Sequence, residues 1–81
     1  MIHFMNYITL DNLDLGKTAK VIAINNKGSI RRRLLDIGIV PDSLIKAVFK
    51  SPFNDPIAYE IKNATIAIRK KDSKEIVVEV I

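Results

Sequence analysis

Apolar positions along this chain recur mostly at every second residue, in short runs broken by turn-forming residues, which is the period of half-buried strands. Residues 17–25 hold β-branched Val21, Ile22 and Ile24 and end at polar Asn25-Asn26-Lys27-Gly28. Residues 44–50 alternate with period two over part of their length. In residues 57–62, Ile57, Tyr59 and Ile61 share one face while Ala58, Glu60 and Lys62 share the other. Residues 65–69 place Ile66 and Ile68 inward, and residues 76–81 form a dense β-branched run. About five strands at this spacing predict a small barrel.

One stretch changes period. From Ser29 the apolar residues Ile30, Leu34 and Ile37 fall at i, i+4 and i+7, reinforced by Leu35, which predicts a helix of about two turns. The Ser29 hydroxyl is suited to cap its start, Gly38 to supply the left-handed residue that ends it, and Pro41 forbids continuation. So short a helix is not stable alone and must dock on the strands. A further helical turn is read at residues 70–74. Ser51-Pro52-Phe53-Asn54-Asp55-Pro56 is a hairpin tip, because neither proline can donate to a ladder. Asn63 marks the next turn, as Asn tolerates positive φ.

Composition narrows the chemistry. Thirteen Lys+Arg against nine Asp+Glu give a net charge of +4 across 81 residues, enough chain for one domain. An apolar share of 48% with 27% charged is that of a folded soluble domain. The absence of cysteine excludes disulfides, zinc ribbons, iron–sulfur clusters and thiol nucleophiles. A single histidine, His3, excludes His-rich metal sites. No apolar run approaches the roughly 20 residues that span a bilayer, and residues 1–10 lack the basic start of a secretory signal. A cytoplasmic protein is expected. No GxxxxGK[ST] loop and no catalytic grouping of side chains is present, so neither enzymatic activity nor a cofactor is expected.

Four blocks then carry a resemblance. Arg31-Arg32-Arg33-Leu34-Leu35-Asp36-Ile37-Gly38-Ile39-Val40-Pro41 resembles the RxRLLDLGLxPG signature of the FeoA (ferrous iron transport protein A) family. Ser51-Pro52-Phe53-Asn54-Asp55-Pro56-Ile57 is similar to that family's APxGDPI loop, and Ile66-Ala67-Ile68-Arg69-Lys70-Lys71-Asp72 to its LALRKxE/D element. Thr9-Leu10, Leu13, Gly16 and Val21 fit its TLxxLxxGxxxxV opening. The blocks stand in order over roughly residues 8–80; Asp42, Asn54 and Asn63 replace glycines common in the family. The resemblance implies a mainly β fold, an SH3-like small β-barrel with one short inserted α-helix, over residues 8–81 after an extension of residues 1–7. It further implies a non-enzymatic, cytosolic accessory that docks on the cytosolic part of FeoB, a membrane GTPase and ferrous iron transporter, and modulates it.

Seven residues are candidates for partner binding. Arg31, Arg32 and Arg33 read either as a basic patch for an acidic surface or lipid phosphates, or as a solvated helix face with Arg32 or Arg33 paired to Asp36. Residues on a helix point about 100° apart, so the three arginines cannot share one ligand. Ile39 and Val40, just past Gly38, are candidates for an exposed apolar patch beside them. Phe53 is either tucked onto the barrel end or offered as an anchor. Asp55 reads as a cap of its own turn or as a contact to a metal or partner. His3, near Phe4 and Tyr7, reads as a loosely ordered terminus rather than an iron ligand. No metal-ligating cluster is legible.

Three functions compete. The first is the protein-interaction module just described. The second is a small basic barrel that binds nucleic acid, against which the modest charge and the lack of a stacking motif count. The third is a metal-sensing domain akin to the C-terminal modules of iron- and manganese-dependent repressors.

Overall fold

The computed structural model describes residues 6–81; His3 and Phe4 lie outside the described residues. Six strands form one antiparallel sheet: β1 (Tyr7–Thr9), β2 (Thr18–Ile24), β3 (Leu44–Lys50), β4 (Ile57–Ile61), β5 (Ala64–Ile68) and β6 (Ile76–Val80). Their order is β1-β6-β2-β3-β4-β5, so the chain ends meet where β6 inserts between β1 and β2. The shape is that of a small barrel left open, with β1 and β5 at its two edges. The periodicity accounts for five strands; β1, the sixth, is three residues long, too short for alternation to register.

The core is made by the alternating residues that the pattern points inward. Val21, Ile45, Tyr59, Ile61, Ile76 and Val78 have almost no exposed surface, and Leu10, Leu13 and Leu34 close over them. Two β-bulges correct the simple alternation. In β2 the register shifts between Val21 and Ala23, which turns Ile24 rather than Ala23 into the core. In β3 the shift between Ala47 and Phe49 has the opposite consequence. Ile45 and Ala47 are buried, but Phe49, two residues further on, is 60% exposed.

Helix α1 spans Gly28–Asp36 and docks through Leu34, with Ile30 and Leu35 half-buried beside it. Its start differs from the expectation. Lys27 occupies the N-cap without a side-chain bond, and Ser29 lies inside the first turn. The physical reason is Gly28, whose φ of +66° lets the chain turn into the helix two residues earlier. The far end is a Schellman motif on Gly38, at φ +101°. The Gly38 N–H bonds the Leu35 carbonyl at 3.0 Å and the Ile39 N–H bonds the Leu34 carbonyl at 3.0 Å. Helix α2 (Lys70–Ser73) is a single turn, at the position read from the sequence.

The turns explain the three family glycines that this chain lacks. Val40-Pro41-Asp42-Ser43 is a β-turn closed by the Ser43 N–H on the Val40 carbonyl at 3.0 Å, with Asp42 at φ +75°. Proline second and a positive φ third are the marks of a type II turn. Asn54 (φ +63°) and Asn63 (φ +68°) also take the left-handed region, and Lys62 joins Asn63 there at φ +48°. Two consecutive positive-φ residues between Ile61 and Ala64 make the β4–β5 connection a two-residue type I′ hairpin.

Candidate functional site

Helix α1 presents its arginines to solvent, but not as one group. Leu34 faces the core, which leaves Arg31, Arg32 and Arg33 on the outer arc. The Arg31 guanidinium folds back to donate to the Ile24 carbonyl at the end of β2. Arg31 therefore ties the helix to the sheet, while Arg32 and Arg33 are the exposed cations. Among the described residues neither pairs with Asp36; an ion pair forms instead across β2 and β6, Lys20–Glu79 at 3.8 Å.

The tertiary structure places each of the other four candidates. Ile39 is fully buried, not part of an exposed patch. The Schellman geometry sets this, because it brings the residue after Gly38 back over Leu34 and into the core. Val40 is half-buried, locked by the Ser43 hydroxyl, which donates to the Val40 carbonyl at 2.6 Å. Asp55 does not cap its own turn. Its Oδ1 accepts the Lys70 N–H at 2.9 Å, so the β3–β4 hairpin tip is clamped to the start of α2, 15 residues downstream. Phe53 is 89% exposed rather than tucked onto the barrel end. With Phe49 it puts two aromatic rings on the outside of the β3–β4 hairpin.

Polar groups elsewhere are structural. Asn26, buried after β2, donates through Nδ2 to the Asp72 carbonyl at 2.9 Å and so joins α2 to the sheet. The Tyr59 hydroxyl donates to the Leu10 carbonyl at 3.3 Å, and its burial pushes the phenol up to about 12. Among the described residues no three His, Asp or Glu side chains come together to hold a metal ion.

A concavity with a volume of about 580 Å³ lies between α1 and β5. One wall is the face of α1 that carries Ile30, Leu34 and Ile37, and the opposite wall is β5 with Ile66, Ala67 and Ile68. The rim is mostly cationic: Arg33, Arg69 and Lys71 line it, with Asp72 the single acid. Ile37 is 39% exposed within it. Sequence reasoning placed Ile37 in the core stripe and did not find this groove. The signal was present in the i, i+4, i+7 spacing, but periodicity does not say where a short helix overhangs the sheet.

Comparison with known proteins agrees with this geometry. The FeoA domain family matches residues 8–80. A Porphyromonas gingivalis Fe(2+) transport protein A/Fe(2+) transporter FeoB fusion protein is 32% identical over 72 residues. That match takes 89% of this chain but only 8% of the fusion protein. A putative Fe(2+) transport protein A of Campylobacter jejuni is 27% identical over 91% of this chain and all of its own length. Among solved structures, iron(II) transport protein A of Clostridium thermocellum superposes with a TM-score of 0.87 at 32% identity, covering 91% of this chain and 46% of that one. FeoA of Stenotrophomonas maltophilia, solved with zinc and described as a prokaryotic SH3 domain protein, gives a TM-score of 0.78 at 28% identity and covers 88% of each chain. A manganese-dependent transcriptional repressor shares the fold at 22% identity, with a TM-score of 0.83. An SH3-like open barrel with a matching sequence from its first to its last strand has one reading: the chain belongs to the FeoA family.

Proposed function

We propose that the protein is a non-enzymatic accessory of ferrous iron uptake that docks on the cytosolic part of a FeoB-type transporter and modulates it. The observation that carries this is the Porphyromonas gingivalis relative, in which a matching segment and a FeoB transporter are one polypeptide. Fusion holds two parts at high effective concentration, an arrangement of use to components that act together. The S. maltophilia protein has a suggested role as an activating factor of ferrous iron transport, in keeping with the same reading. The surface fits docking better than catalysis: an apolar groove with a charged rim and exposed aromatic rings, without a grouped acid, base or nucleophile among the described residues. No helix of the described residues is long and apolar enough to cross a membrane.

The test is capture. The immobilised protein is incubated with detergent-solubilised, nuclease-treated membranes of its host, and bound proteins are identified by mass spectrometry. Recovery of the ferrous iron transporter, reduced by Arg32→Glu with Arg33→Glu, supports the proposal. Substitution at Ile39 is unsuitable because it reports on folding. Absence of the transporter, with binding to mixed oligonucleotides that falls steeply as salt is raised, would replace it with a nucleic-acid role.

A further inference from the structure

The groove between α1 and β5 borders a strand edge left open by the fold. β5 is the last strand of the sheet and pairs on one side only. The two-residue hairpin fixes which backbone groups are free. Ile61 and Ala64 close the turn as a hydrogen-bonded pair, so Tyr59↔Ile66 and Ile57↔Ile68 are hydrogen-bonded pairs as well. Glu60↔Thr65 and Ala58↔Ala67 are then the non-bonded pairs, and the N–H and C=O groups of Thr65 and Ala67 face away from β4. Both residues are exposed. Such an edge is a template for one more strand unless charge, proline or a cover blocks it. β5 itself carries no charge and no proline.

We infer that this edge and groove bind an extended acidic peptide segment of a partner protein by strand addition to β5. Main-chain bonds to Thr65 and Ala67 would supply register, and alternate side chains would enter the groove over Ile37, Ile66 and Ile68. Charge complementarity selects the occupant. Arg33, Arg69 and Lys71 against Asp72 leave the rim at +2 within a chain of net charge +4. A segment alternating apolar residues with Asp or Glu satisfies both the floor and the rim, and a basic one is repelled. The inference rests on the proposed docking role for the identity of the partner, but the chemistry of the groove stands apart from it.

The experiment uses a fluorescein-labelled heptapeptide that alternates Asp or Glu with Val, titrated against the whole protein and read by anisotropy. Saturable binding is expected, weakening with added salt and absent for the Lys-for-acid counterpart. Ala67→Pro removes an outward N–H without touching the β4 ladder and is expected to weaken binding about tenfold or more, and Arg69→Glu likewise. A peptide N-methylated at alternate residues tests strand pairing with the protein unaltered and is expected to bind as poorly. Equal binding by the N-methylated peptide, or indifference to peptide charge, overturns the inference. So does a concentration-dependent dimer abolished by Ala67→Pro, which would assign the edge to a second copy of this chain. If the peptide binds but the transporter is not captured, the docking role fails and the groove stands; if capture survives both variants, the groove fails and the role stands.

Discussion

Ile37 and Ile39 flank Gly38, and the structure gives them opposite duties that a single pair of substitutions separates. Ile39 is fully buried against Leu34, whereas Ile37 is 39% exposed along the groove. Ile39→Ala removes three buried carbons from a site held by backbone bonds on both sides, so the cavity cannot collapse freely. A cost of about 3 kcal/mol is expected, within the usual range of roughly 2–5 for such truncations. At about 4–8 °C per kcal/mol for a domain of this size, Tm falls by roughly 12–24 °C. Ile37→Ala loses only part of an apolar contact and opens to solvent, so about 1 kcal/mol is expected. Urea unfolding followed by far-UV circular dichroism measures both on one scale, as the chain has no tryptophan. Acidic-peptide binding, measured where both variants are folded, is expected to weaken in Ile37→Ala and to persist in Ile39→Ala. An Ile37→Ala cost equal to or above that of Ile39→Ala would refute the inward placement of Ile39.

Three further outcomes are expected. Asp55→Ala removes the carboxylate that holds the Lys70 N–H, costing about 1 kcal/mol by analogy with the loss of a helix cap and speeding hydrogen exchange at the Lys70 amide. Tyr59 keeps its proton up to about 12 in the folded state, whereas the unfolded chain releases it near 10. The stability from this group is therefore complete below about pH 10 and is lost as pH rises toward 12; it amounts to roughly 1–2 kcal/mol after allowance for solvent screening, and Tyr59→Phe should flatten that limb of a pH–stability curve. Asp42→Gly relieves a side chain held at φ +75° and is expected to stabilise by a few tenths of a kcal/mol, up to about 1, since the looser unfolded chain offsets part of the gain; differential scanning calorimetry resolves it.

The surface divides into parts with different capacities. The Phe49 and Phe53 rings lie exposed on the β3–β4 hairpin and line no part of the groove, which itself combines an apolar floor, a cationic rim and open backbone groups. Isolated exposed rings give little orientation to a partner, whereas a strand edge imposes direction and register at once. That difference is why the peptide site is proposed at the groove rather than at the more conspicuous arginine run. Arg31 is already engaged with the Ile24 carbonyl, and only Arg33 of the three lines the groove.

What the sequence determined by itself was local. Period two placed five of the six strands, the shift to a helical period placed α1, and Gly38, Pro41 and Asn63 marked chain reversals that the backbone then makes. These features need only near neighbours, since side-chain alternation and φ preference are properties of a few consecutive residues. The tertiary structure decided whatever depended on register or on partners distant in the chain. A bulge adds one residue without a compositional mark, so Phe49 reads as a continuation of Ile45 and Ala47 yet faces outward. Ile39 reads as exposed because it follows a helix end, until the Schellman bonds fold it over Leu34. Asp55 reads as a local cap until the hairpin tip is brought against Lys70. The open edge of β5 exists only because β6 pairs with β1 and β2 at the other end of the sheet, a choice made by the topology of the whole chain and by no single segment of it.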